Sequence, residues 1–193
     1  RALAGNISVA IDNAQLYQEL QHRAVQLQTV YEVNRAIASI LNQEQLLEEV
    51  VFLIQERFGI PKVRIFSVHP GRRRVFFEAG SGFHSQIISK ESHFFDLDDP
   101  HGLIPWAARH SETILVNDVR QEPRYRSSEA ENGETLSELT VPLIFGGDVL
   151  GVLDVQSDRL NAFDEENCFL IEALADHIAI ALRNAQLYRT EVW

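Results

Sequence analysis

The 193-residue chain contains no methionine and a single cysteine, Cys168. One cysteine excludes a disulfide framework and any zinc site built on paired thiolates, and it fits a reducing compartment, so a cytoplasmic location is expected. Basic charge is scarce: 17 Lys and Arg stand against 28 Asp and Glu, a formal net charge of −11. Nucleic acid and anionic membrane surfaces call for basic patches, so neither is an expected partner. The one basic run, Arg72-Arg73-Arg74 after Pro70-Gly71, reads as a solvated hairpin turn. No apolar stretch approaches the length that spans a bilayer, and no signal peptide is visible. With no initiator methionine, the sequence is expected to be a fragment of a longer chain.

What is present begins with an internal repeat. The opening segment Ala2–Tyr17 is echoed by Ala173–Tyr188, and Asn-Ala-Gln-Leu-Tyr is identical at 13–17 and 184–188, an offset of 171 residues. Only one copy of the intervening sequence is present. The expectation is a tandem array cut inside the last helix of one unit: residues 1–20 ending a preceding domain, 21–41 connecting, 42–183 forming a full domain, and 184–193 leading toward an output domain.

From Ala2 to about Leu41 there is no proline and only one glycine, which predicts a long helix. Leu16, Leu20, Leu27, Val30, Ile37 and Leu41 fall on a heptad seam interrupted by Arg23 and Asn34. Steps of four and three define the narrow stripe of a coiled coil, with Asn34 placed to pin the register, so a homodimer through the helices is expected. The alternative is that the stripe packs on its own domain. Asn42 caps a second helix that stops at Gly59. The period then changes to two: strands at 63–68 and 75–79, an irregular excursion over 83–100, and a short helix at 102–110. A strand at 113–116, a long polar loop over 119–136, a hairpin through Gly146-Gly147 and a last helix capped by Asp164 complete the order. That order is an α+β fold, an antiparallel sheet with helices on one face and loops on the other.

Several separated motifs resemble the GAF domains of bacterial multi-domain signalling proteins, of the sensor histidine kinase or cyclase type. They are Gly102-Leu103-Ile104-Pro105-Trp106-Ala107-Ala108-Arg109, Ile114 to Val119 with Pro123-Arg124-Tyr125, Ser137 to Leu143, Gly147 to Val155, and Phe163-Asp164-Glu165-Glu166. The resemblance implies a PAS-like, profilin-like sheet with a ligand pocket under its loops and a helical bundle opposite. Relatives that bind cyclic nucleotides carry Asn-Lys, then Phe, then Asp-Glu. Here Gln156-Ser157 and Asn167-Cys168 replace the two pairs and only Phe163 is kept, so a cyclic nucleotide is disfavoured. A bilin needs a cysteine beside the pocket, whereas Cys168 falls in the last helix. Haem needs an axial histidine. His93, His101 and His110 flank the loop region, but 127–140 contains none, and haem too is disfavoured. Free-methionine-sulfoxide reductases of this fold relay electrons through several cysteines, so no enzyme and no cofactor are expected.

Strand alternation places Thr140, Asp154 and Phe76 on the pocket face, and Phe94, Phe95, Trp106, Asn117, Tyr125 and Arg126 can reach it from the loops. An aromatic wall with a few polar groups suits a small organic ligand, as yet unidentified. The competing expectation is a ligand-free dimerising module.

Overall fold

A computed structural model describes residues 2–69, 71, 73–81, 94–126 and 134–191. Residues 83–93 and 127–133, read above as loop, lie outside the described residues, as do Pro70 and Arg72 of the basic turn.

The first element, α1 (Ala2–Ile37), is one unbroken helix of 36 residues, as a stretch without proline allows. Its halves differ. Leu16, Leu20 and Leu27 are exposed, while Val30, Val33 and Ile37 are buried. This corrects the expected seam. Val30 and Ile37 belong to the domain's own core, because α1 packs there on α2 and α4. Asn34 likewise turns its side-chain oxygen into the protein, where it has no hydrogen-bond partner. Leu41 is exposed in the connection that follows.

Helix α2 (Gln43–Phe58) starts where the Asn42 side chain accepts the Gln45 N–H at 2.9 Å. It stops at Gly59, whose φ of 64° is the left-handed conformation that glycine adopts without strain. Six strands follow: β1 (Lys62–His69), β2 (Arg74–Ser81), β3 (Phe94–Asp96), β4 (Ile114–Val116), β5 (Ser137–Phe145) and β6 (Asp148–Ser157). Their spatial order is β3-β2-β1-β6-β5-β4, every pairing antiparallel. Phe94–Asp96, read from sequence as irregular, is thus an edge strand. Helix α3 (Leu103–His110) lies between β3 and β4, and α4 (Glu165–Glu191) closes the chain. Asp164 and Asn167 cap α4 reciprocally: the Asn167 N–H donates to Asp164 at 2.8 Å and the Asp164 N–H to Asn167 at 3.2 Å. Phe163, just before that cap, is buried in the core.

The sheet separates two apolar clusters. The larger joins α1, α2 and α4 to the sheet through Ile54, Ile65, Leu153, Leu174 and Ile178. The smaller lies on the other face, where Phe66, Val75 and Val152 meet Leu103, Ile104 and Ala107 of α3. A register shift between Ile65 and Phe66 inserts Glu78 as an extra residue in β2. Such a bulge moves every side chain beyond it to the opposite face.

Candidate functional site

The loop-side face carries an unusual strip of buried polar residues. Lys62 and Arg64 from β1, Asp154 and Gln156 from β6, and Glu138 and Thr140 from β5 are all buried. They share a face because Lys62 opposes Gln156, Arg64 opposes Asp154, and Thr140 in turn opposes Asp154. Their contacts form one network. Arg64 donates to Asp154 Oδ2 through Nε at 2.7 Å and Nη2 at 2.6 Å, and its Nη2 lies 4.0 Å from Glu138. The Thr140 hydroxyl donates to Asp154 Oδ1 at 2.9 Å. The Gln156 amide donates to both Asp154 and Glu138 at 3.2 Å. The Lys62 ammonium donates to Thr135 at 3.0 Å, whose hydroxyl donates to Gln156 at 2.9 Å. Two buried cations face two buried carboxylates, so the strip is neutral as a whole. Burial of this kind is tolerated only when charges are paired and hydrogen-bonded.

Above one end of this floor lies a cleft of about 200 Å³. Arg64 and Glu138 form its base, Phe95, Asp99 and His101 one side, Tyr125 and Arg126 another. The start of α3, Gly102 to Pro105, is its remaining wall. Gly102 has φ 94°, conformational space open to glycine, and no side chain caps the helix there. Pro105 has no N–H and the Gly102 N–H already donates to the Arg124 carbonyl at 2.7 Å, so what this helix start can offer a carbonyl or anionic group is the backbone N–H of Leu103 and Ile104.

The rim is fixed by short-range pairs. Arg109 donates to the carbonyls of Leu97 and Asp99 at 2.5 and 2.6 Å, pinning that turn. The His101 backbone N–H, opposed by burial and assisted by the Arg126 guanidinium, holds the Asp99 carboxyl below the usual carboxylate range. Arg124 does the same to Glu122 through a 2.7 Å hydrogen bond.

The sequence-predicted residues divide into three groups. Phe95, Tyr125 and Arg126 line the cleft. Thr140 and Asp154 lie in the floor network, buried beneath it and not on the cleft wall. Four lie elsewhere. The β2 bulge turns Phe76 onto the helix-side face, where its ring meets those of His69 and Phe94. Phe94, its register partner, is displaced with it. Trp106 stacks on His110, with Arg124 5.0 Å from its ring centre, and is not part of the cleft. Asn117 is an exposed turn residue whose carbonyl accepts the Asn161 N–H. Sequence reasoning missed Lys62, Arg64, Glu138 and Gln156. Their signal was there, as polar residues spaced two apart in apolar strands: Lys62-Val63-Arg64, Glu138-Leu139-Thr140, Asp154-Val155-Gln156.

Cys168 sits on the helix side, against the larger cluster. Burial first, then Glu172, Asp164 and Glu165, push its thiol pKa up. Among the described residues no group of three or more His, Cys, Asp or Glu is placed to hold a metal ion, and no helix is long and apolar enough to cross a membrane.

Comparison with known proteins fits this architecture. The family model described as GAF domain matches residues 41–183. GAF domain-containing protein A of Dictyostelium discoideum is 38% identical over 64 residues, which are 33% of this chain and 39% of that protein. The DNA-binding transcriptional activator HyfR of Escherichia coli (strain K12) is 43% identical over 54 residues, 28% of this chain and 8% of that protein. The chain therefore spans well under half the length of these curated relatives. Among solved structures, the GAF domain of a phosphoenolpyruvate-protein phosphotransferase from Coxiella burnetii superposes with a TM-score of 0.77 at 22% identity, over 86% of this chain and 96% of that one. Free methionine-R-sulfoxide reductase from Neisseria meningitidis, solved with its substrate, gives 0.73 at 21% over 86% and 92%.

Proposed function

The chain belongs to the GAF domain family, and from that premise we propose that it is the sensor unit of a signalling protein, binding a small polar organic molecule in the cleft between Arg64, Tyr125 and the start of α3. The observation that carries this reading is the cleft itself: a buried charged floor, an aromatic side and an uncapped helix start converge on one volume. A ligand with a carboxylate or carbonyl toward α3 and Arg64, and an apolar part against Phe95 and Tyr125, matches those walls. A thiol relay is no part of this reading, since the one cysteine lies across the sheet from the cleft with its thiol pKa raised. A reducing, cytoplasmic setting is part of the same reading, and the lone thiol supports it.

Transmission runs through a homodimer of the helical side. Leu16, Leu20 and Leu27 of α1 and Phe169 of α4 are exposed. Leu27 and Phe169 border a groove of about 560 Å³ between the two helices. A ligand acts on this bundle only as far as it prefers one helix arrangement over another.

A second reading, a ligand-free dimerising module, is favoured by one observation: the floor carboxylates are already partnered by Arg64, Thr140 and Gln156. A thermal-shift screen of small carboxylates, amino acids and nucleotides separates the two. A ligand at a hundredfold excess over Kd adds about 2.7 kcal/mol, or roughly 5–10 °C for a chain of this size. Under the sensor reading, a hit appears and is abolished by Tyr125→Ala or Arg126→Ala with the fold intact. A screen without a hit leaves the dimerising module as the function.

A further inference from the structure

A second cavity, of about 170 Å³, lies where the end of α2 and the entry to β1 meet the end of β6 and the start of α4. It shares no lining residue with the cleft between Arg64 and α3, so a ligand here is independent of one there. Strand alternation keeps the two apart: Gln156 joins the floor network, and its neighbour Ser157 borders this cavity instead.

The polar side chains that line it, Ser157, Arg159 and Asn167, all have donors to spare. Ser157 is 2% exposed. Its hydroxyl accepts the Arg159 N–H at 3.2 Å, and among the described residues nothing accepts its own proton. Asn167 Oδ1 accepts the Asp164 N–H at 3.2 Å, which leaves the side-chain NH2 unused. Arg159 is held through its backbone, by that bond to Ser157 and by a 2.7 Å bond from the Ser137 hydroxyl to its carbonyl. Its guanidinium pairs with no carboxylate among the described residues, and no Asp or Glu lines the cavity. The rest of the wall is mainly apolar: Phe58, Ile60, Phe163 and Ile171, the last three buried. Buried donors in native proteins normally have an acceptor. Water can serve the polar end, but an apolar wall gives it no partners.

We infer that this cavity is a second ligand site, which takes a short-chain aliphatic monocarboxylate. The carboxylate accepts from Ser157, Asn167 and the Arg159 guanidinium, and the tail lies against Phe58, Ile60, Phe163 and Ile171. At roughly 30 Å³ per water-sized group, the volume suits an acid of about four to six carbons. One unpaired cation among donors, with no acidic side chain beside it, selects an anion and repels an amine. Phe58 ends α2 and Phe163 immediately precedes the cap of α4, so a bound tail ties those two helix ends together.

The test titrates the 193-residue chain with hexanoate, hexanol and hexylammonium, followed by amide NMR shifts. Hexanoate should saturate at a Kd of roughly 1 mM or tighter, as its few non-hydrogen atoms allow. Its shifts should centre on residues 58–61 and 157–171. Hexanol should bind at least about tenfold more weakly, the effect of losing charge-assisted hydrogen bonds, and hexylammonium should not bind there. Arg159→Met should weaken hexanoate by a similar factor with Tm unchanged. Ala162→Leu, which fills the cavity and keeps every donor, should abolish binding, and Tyr125→Ala in the separate cleft should leave it intact. Absence of saturation by about 20 mM hexanoate overturns the inference. So do equal affinities for the three probes, an Arg159→Met variant that binds as tightly as wild type, or shifts centred on residues 99–104 and 125–126.

Discussion

Replacing Asp154 by alanine should destabilise the domain by about 3–5 kcal/mol, the range for leaving a buried charge without its partner. Asp154 is fully buried and accepts four contacts of 3.2 Å or less, two from Arg64, one from Thr140 and one from Gln156. Without it, the buried Arg64 guanidinium loses both of those charge-assisted contacts, and Glu138, 4.0 Å away across the strip, is too distant to replace them. At about 2–4 °C per kcal/mol for a chain of this length, Tm falls by roughly 6–20 °C. Urea denaturation followed by circular dichroism measures the free energy directly. The double variant Arg64→Met with Asp154→Leu should recover most of the loss, because an apolar pair of similar size spares both desolvation penalties. A cost below about 1 kcal/mol for Asp154→Ala is the behaviour of a solvated surface pair and would refute a dry floor. The same reasoning disqualifies Asp154 as a probe of ligand binding: its replacement damages the fold first.

Leu27→Asp or Leu20→Asp should dissociate the proposed dimer in sedimentation with little change in monomer stability, whereas Val30→Asp, buried in the core, should cost more than about 3 kcal/mol. Cys168, with its raised thiol pKa, should react with Ellman's reagent several-fold more slowly at pH 8 than in urea, and equal rates would contradict its burial. Asp99 and Glu122 have depressed native pKa values, so the rim stability they add is complete above the ordinary carboxylate value of about 4 and is lost as pH falls through their native values. Protection factors at residues 97–101 and 122–126, corrected for the intrinsic pH dependence of amide exchange, should therefore fall as the pH drops below the ordinary carboxylate value of about 4, with β5 and β6 still protected.

The fold was legible because its boundaries rest on local chemistry. Asn42, Gly59, Gly146-Gly147 and Asp164 each act through a cap or turn that a few neighbouring residues decide. The site was legible in part. Alternation along β5 and β6 matches the observed loop-side placement of Thr140 and Asp154, which pair with each other across the two strands, but it failed at Phe76. Unbroken pairing from Ile65–Ala79 would set Phe76 opposite Val68; the extra residue sets it opposite Ser67. A bulge of this kind leaves no composition signature, and here it exchanges Phe76 for Phe77 in the loop-side cluster. The heptad seam misled differently. A stripe of period 3.5 reads the same whether a second chain or α4 covers it, and only the position of α4 decides that Val30 and Ile37 face inward.

The two outermost strands, β3 and β4, have three residues each. A neighbouring molecule arriving edge-on finds too little open ladder to extend, which is how natural sheets resist end-to-end growth. With both rims of the sheet blunted in this way, edge-to-edge pairing of sheets contributes little to any contact between copies, and the exposed apolar residues of α1 and α4 are the better candidates for one.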